Sequence, residues 1–305
     1  MAIYSCSVKT MSRSSGQSAV ASAAYRSGQV LEDQTIAKTF DYQNKQGIEV
    51  TKILVPQNQE TPEWVFDRET LWNEVEKSEK RKNSTVAREV LVALPHELSK
   101  DQREELTAEF SQWLANKYQV IVDMAVHEPS KEGDDRNYHA HIMMTPRQIE
   151  EDGFSKVKSY KNDKGQSVRL IPLDYGGQRG SDEITAIREQ WADNTNDFLS
   201  RAGATDTVDH RTLEAQGIDR AASFHLGHEV TAMERKGIAT LVGDRLRTVL
   251  HINEAIDIAK QAAERVKDIP NKIYQRYQKY TRAIEQTEQS NTIDREIEDG
   301  GYKLE

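Results

Sequence analysis

Two periods of hydrophobic and polar positions alternate along the chain. In "AREVLVALP" (87–95), "YQVIVDMAVHE" (118–128) and "YHAHIMMT" (138–145), apolar residues recur at every second position. That is the period of a strand with one face in a core. Ala2–Val8 repeats the pattern, and Ile48–Val55 does so weakly. Between the strands the pattern turns helical. Gln17–Ser27 is rich in alanine and stops at Gly28, a residue suited to ending a helix. Thr61 and Pro62 supply a cap and a first-turn proline for a helix predicted to run to about Lys82. Ser99 caps a helix over 100–117, and Asp182–Arg201 carries Ile184, Ile187, Trp191 and Phe198 at helical spacing. The polar "PSKEGDDRN" (129–137) lies between two strands and predicts an antiparallel hairpin. Residues 155–172 predict a second hairpin or an open loop. After Gly227 the chain is helical and charged, with Pro270 predicted to interrupt it. From 283 to the end seven acidic residues face two basic ones, the composition of a solvated helix or a tail without fixed structure. No internal repeat is visible. The fold class expected is α+β, a central, mostly antiparallel β-sheet flanked by helices, with a helical C-terminal extension.

The strand period also sorts side chains by face. His139, His141 and Met143 share one face, while Tyr138, Ala140, Ile142 and Met144 share the apolar one. The two imidazoles lie about 7 Å apart along the strand. In the preceding strand Asp123, Ala125 and His127 share a face, opposite Val122, Met124 and Val126. If residues 127 and 139 flank the hairpin connection, His127 sits across from His139. Three neutral imidazoles on neighbouring strands form a half-cage for a divalent metal, with positions left for water or substrate oxygens. Glu89 points to the same side of its strand as Leu91, away from Val90 and Val92. It is a candidate fourth ligand, or a carboxylate that orients a histidine from behind. Zinc is compatible with such a site, and manganese or magnesium equally suits a phosphate substrate.

Bulk composition narrows the setting. The chain has 305 residues, 36 % hydrophobic and 30 % charged, enough for one large domain with an extension. The net charge of -9 makes it no obvious nucleic-acid binder, so any such role must rest on local charge. A single cysteine, Cys6, excludes an internal disulfide framework and fits a reducing compartment. No signal-like segment opens the chain, and no window reaches the run of about 20 apolar residues that a spanning helix needs. A cytoplasmic protein without membrane insertion is expected. The final "KLE" is compatible with a cloning remnant, and the chain with the front part of a longer protein.

Local charge is positive at the start. Residues 1–31 contain Lys9, Arg13 and Arg26 and no acid. Ser12–Gly16, with Ser14 at its centre, precedes the first helix, and a helix N-terminus with hydroxyls and a nearby arginine suits phosphate. On that helix Ser18, Ala21, Ser22 and Tyr25 form one stripe, which would let the helix lie close to the sheet and present Tyr25 over its polar face. Lys156, Lys158, Lys161, Lys164 and Arg169, interleaved with Tyr160, suit the backbone and bases of single-stranded DNA.

Four blocks, "MAIYSCSVKTMSRSSGQSAVASAAYRSG", "VAREVLVALPHELS", "HEPSKEGDDRNYHAHIMMTPR" and "AGATDTVDHRTLEAQGIDRAASFHLG", closely resemble the MobA/MobL-type relaxases of mobilisable plasmids. The resemblance runs over about 1–230 and implies an HUH endonuclease domain there, with 231–305 as a helical, partly acidic extension. It implies a divalent metal on His127, His139 and His141, a strand carboxylate at Glu89 and a nucleophile at Tyr25. The family's strand can carry a second Glu two residues on, where this chain has Leu91. Rolling-circle initiators share this chemistry but place the histidines before the tyrosine. Here Tyr25 precedes His139 by more than a hundred residues, the relaxase order. The implied activity is strand-specific nicking of single-stranded plasmid DNA at a transfer origin through a 5′-phosphotyrosine intermediate. Accessory relaxosome proteins and a coupling protein are the implied partners. Tyrosine is protonated at neutral pH, so Arg13 and Arg26 are candidate stabilising cations and Asp123 a candidate proton acceptor. A metal-dependent phosphoesterase using activated water would need the histidines without Tyr25, and a noncatalytic DNA-binding module would need only the basic loop.

Overall fold

The computed structural model describes residues 4–57, 60–130, 134–150, 153–161, 165–169, 178–224 and 226–300. Its elements run β1 (Cys6–Ser12), α1 (Ala19–Ser27), β2 (Val30–Asp33), β3 (Lys38–Asp41), β4 (Ile48–Leu54), α2 (Arg68–Ser78), β5 (Thr85–Ala93), α3 (Lys100–Tyr118), β6 (Val120–His127), β7 (His139–Glu150), β8 (Gly153–Phe154), β9 (Ser159–Lys161), β10 (Ser167–Arg169) and α4 (Gln178–Arg201). After these come α5 (His228–Arg235) and α6 (Leu241–Gly300). The chain divides into two compact units at His210/Arg211.

The first unit is built on a sheet of order β1-β5-β7-β6-β4, with β8 added to β7. Every pairing in it is antiparallel. The alternation read from the sequence sorts the faces. Val90, Val92, Val122, Met124, Val126, Ala140 and Ile142 pack under α3 and α4 with Phe110, Leu114, Trp191 and Phe198. Ala87, Ile121 and Met143 pack on the other face with α1 and α2, against Val20, Ala23, Leu71 and Trp72. Each face is therefore covered, and β6 and β7 lie centrally. Ser99 caps α3 as expected, exchanging bonds with Gln102 in a reciprocal capping box.

Four details differ from the sequence reading. The first strand is Cys6–Ser12 rather than Ala2–Val8, and residues 1–3 lie outside the described part. The helix expected over 62–82 is a short turn, Glu63–Phe66, and then α2, because the Asp67 side chain accepts from Thr70 N and restarts the helix. On α1 the core side is Ala19, Val20, Ala23 and Ala24, so the stripe of Ala21, Ser22 and Tyr25 is turned outward from it. Pro270 does not interrupt α6, which continues through it with one backbone donor fewer.

Sequence-distant charges fasten α2 to the sheet. Arg68 gives two hydrogen bonds to Asp123, at 2.8 and 2.9 Å, and Trp72 Nε1 gives a third at 2.9 Å. Both members of the pair are buried. In the second unit, Asn253 exchanges two bonds with the Ala221 backbone, and Glu234 accepts from Thr240 and Arg247. No described helix is long and apolar enough to cross a membrane.

Breaking a buried ion pair by removing one partner leaves an uncompensated charge, at a cost of about 3–5 kcal/mol. Asp123→Ala is expected to lose that much in urea unfolding. A loss below about 1 kcal/mol would contradict a structural role for the pair.

Candidate metal and nucleophile site

At one end of the α1/α2 face the core gives way to imidazoles. The register pairs His127 with His139 and Ala125 with His141, so all three rings emerge on one side of adjacent strands. Ring centroids are 5.0–5.3 Å apart, and one ligand nitrogen from each lies within 4.8 Å of the others.

Each ring is held through one nitrogen by an acceptor. His141 Nδ1 is 2.7 Å from Glu89 Oε1, His139 Nδ1 3.0 Å from Asn137 O, and His127 Nε2 2.7 Å from Arg26 O. A ring that donates from one nitrogen presents a lone pair on the other. Burial, reinforced by Lys45 and the neighbouring rings, holds His127 down to about 3. Burial likewise lowers His139. Neutral, oriented imidazoles of this kind fit a divalent cation. Glu89 lies on β5 opposite Met143 of β7, one step along the face from His141. Burial pushes its carboxyl up, but the bonds from His141 and Arg26 prevail and leave it at about 2.

Arg26 joins this group to α1. Its Nε donates to Glu89 Oε1 at 2.6 Å, the atom His141 also engages, and its carbonyl takes the His127 bond. Tyr25 precedes it in the last turn of α1 and is 47 % exposed. Gly28 closes the helix at φ +66°, where a Cβ would stand 2.5 Å from Ile48 Cδ1 at the start of β4. A residue with a Cβ would be strained in that left-handed conformation and would push the Ile48 side-chain tip aside. Two residues absent from the sequence reading complete the surroundings. Tyr42 meets the Tyr25 ring edge-on at 5.2 Å, and Lys45 Nζ stands 3.6 Å from its centroid. Both lie in or beside a loop whose relation to Tyr25 no periodicity encodes.

The other expected site residues separate by environment. Lys9 is exposed on edge strand β1, level with Glu89 on the same face. Asp123, read as a proton acceptor, is bonded to Arg68 and Trp72 beneath α2. Arg13 is bound to Glu76, and Ser14 Oγ pairs with Ser12 Oγ. The N-terminus of α1, read as a phosphate site, is filled by Glu76, whose Oε1 accepts from Ala19 N at 2.8 Å. Lys158 is tied to Glu79 and Thr85 O, whereas Lys156 is exposed. Lys156, Lys158, Arg147, Lys80 and Arg81 line a cleft of about 950 Å³. Tyr160, Lys161 and Arg169 lie on the paired backbones of β9 and β10, and Lys164 lies outside the described residues.

The model of the MobA/MobL family matches residues 17–236. The chain is 34 % identical over 256 residues to "Probable conjugal transfer protein TraA" of Sinorhizobium fredii, covering 77 % of this chain and 22 % of that protein. It is 34 % identical over 261 residues to "Mobilization protein A" of Escherichia coli, covering 84 % and 33 %. A solved structure described as "Molecular Basis of Vancomycin Resistance Transfer in Staphylococcus aureus" aligns with TM-score 0.56 and 32 % identity, over 69 % of this chain and all of the other. The chain thus spans only a fifth to a third of the two curated relatives' length.

A histidine in the unfolded chain takes up its proton near pH 6.5, whereas His127 in the folded chain does so at about 3. As pH falls the unfolded state binds the proton first, so native stability is lost from about 6.5 downward to about 3. Metal-free protein followed by histidine ¹⁵N shifts is expected to keep His127 neutral at pH 5. A midpoint above 6 would contradict its burial beside Lys45 and the neighbouring rings.

Proposed function

Because the chain belongs to the MobA/MobL family, we propose that it is a relaxase domain that nicks single-stranded plasmid DNA at a transfer origin and keeps the cut end on Tyr25. The observation that carries this reading is the Arg26 link, which fastens the helix end bearing Tyr25 to two of the three imidazoles. A phosphoesterase acting through water would need the imidazoles but no tyrosine beside them.

His127, His139 and His141 would hold a divalent cation, manganese or magnesium by preference for phosphate and zinc as an alternative. When bound, that cation supplies Lewis-acid stabilisation of the phosphoryl oxygens. Glu89 orients His141 and keeps the Arg26 side chain in place. The Tyr25 phenol oxygen forms a bond to phosphorus as the bond to the 3′ oxygen breaks. The phenol proton ends on the departing 3′ hydroxyl, and the 5′ end remains esterified to tyrosine. The ester conserves the phosphodiester's energy, so the reverse reaction rejoins ends. Asp123 takes no part, since its carboxylate is bonded to Arg68 and Trp72.

DNA contacts fall on residues 1–230, with 231–305 outside the nicking domain. Lys9 and Lys156 offer exposed cations to the backbone, with Tyr160, Lys161, Lys164 and Arg169 alongside Lys156 in sequence. Lys158, Arg13 and Arg26 act by holding the scaffold, and Ser14 belongs to the same turn as Arg13. Relaxosome proteins and a coupling protein are the proposed partners, and the cytoplasm the proposed location.

Incubation with a labelled oligonucleotide carrying the cognate nick region, with manganese, is expected to give a covalent adduct on a denaturing gel. Tyr25→Phe and chelator should each abolish it. Cleavage that persists without an adduct in Tyr25→Phe would replace this reading with water-activating hydrolysis. Glu89→Ala is expected to weaken manganese binding about 10–100-fold by calorimetry, and unchanged affinity would remove its role in orienting His141.

A further inference from the structure

Lys45 makes an unusual set of contacts for a lysine in so acidic a chain. It sits half-buried in the loop between β3 and β4. Its ammonium donates to the Tyr25 carbonyl at 2.7 Å and stands 3.6 Å from the centroid of the same residue's ring. One side chain thus grips both the backbone and the side chain of Tyr25. The carbonyl belongs to the last turn of α1, the negative end of its dipole, where a cation is favoured. The ring contact is a cation–π interaction, strongest where water is displaced. Tyr42 closes against the ring at 87° from the second direction.

The loop that carries Lys45 is itself fixed. Tyr42 N donates to Gln29 O, Lys45 N to Tyr42 O, and Glu128 N to Gly47 O at 2.8 Å. The last bond ties the loop to the residue after His127. Lys45 therefore stands on a support shared with the imidazole group.

Its charge is left uncompensated. Among the described residues no carboxylate pairs with Lys45. Burial and then the Arg26 charge lower its pKa to about 8. A half-buried ammonium beside a guanidinium is a costly arrangement. It becomes favourable when an anion enters, because a phosphodiester would neutralise it.

We propose that Lys45 is a positioning residue for Tyr25, clamping the phenol ring in its attacking orientation and adding an unpaired positive charge beside the approaching phosphodiester. This rests on the reading of Tyr25 as the nucleophile. An exposed tyrosine otherwise samples several rotamers, and a misplacement of about 1 Å at a reacting group costs on the order of 100-fold in rate.

The test uses the whole chain and two readouts. In protein carrying ¹³C-labelled tyrosine rings, the Tyr25 resonance is identified by its loss in Tyr25→Phe. Lys45→Met is expected to shift it while Lys45→Arg largely preserves it. An unmoved Tyr25 resonance in Lys45→Met would overturn the clamp. The second readout is single-turnover adduct formation on the nick-region oligonucleotide with manganese. Lys45→Met is expected to lower the rate at saturating oligonucleotide by about 30–100-fold, with Lys45→Arg within several-fold of wild type and thermal midpoints unchanged. A rate equal to wild type, or loss in Lys45→Arg as deep as in Lys45→Met, would overturn the proposal. Absence of any adduct in wild type would instead refute Tyr25 as nucleophile, and the ring resonance would still decide whether Lys45 holds it.

Discussion

One carboxylate oxygen, Glu89 Oε1, receives both the His141 ring and the Arg26 side chain, while the Arg26 carbonyl receives His127. Remove that junction and two parts of the fold lose their common reference. The imidazoles belong to the central strands, fixed by ladder register. Tyr25 belongs to a nine-residue helix that packs on the sheet through alanines. Alanines allow a close approach but specify orientation weakly, since a small smooth surface slides at little cost. Arg26 supplies the missing specification with directional, charge-assisted bonds. Gly28 does so sterically, by allowing the helix end to meet Ile48.

The rest of the first unit keeps that junction rigid. The sheet is covered on one face by α3 and α4 and on the other by α1 and α2, so the strands bearing the imidazoles have a packed layer behind them. Charges carry much of the fastening on the α1/α2 side. Arg68 with Asp123, Arg13 with Glu76, and Arg147 with Glu79 each join segments more than fifty residues apart. Residues that look like free cations or acids in the sequence are thus structural.

The site was legible wherever a local period dictated it. Alternation in three strands fixed which faces were apolar, and the polar connection at 129–137 fixed which ends met. Together they put His127 opposite His139 and turned Glu89 toward His141. Tertiary partners were not legible. Asp123 lies on the predicted face yet is claimed by Arg68 from a helix that the sequence placed too early. The hairpin of β2 and β3 was missed because Ala37 turns at φ 49° without the glycine or asparagine that would have announced it. Lys45 sits in a loop with no pattern, so only assembled coordinates bring it to Tyr25.

The strand order has a consequence for how the protein comes into being. The first strand bonds to β5, β5 to β7 and β7 to β6, so β1 joins the strands that carry the imidazoles only through β5, made much later. A growing chain that has released Tyr25 but not β7 has no His139 or His141 for the helix end to meet. Such long-range pairing forms late in folding. Topology therefore leaves every fragment shorter than the full sheet without that junction, and Tyr25 gains its partners only when the scaffold that restrains it is complete.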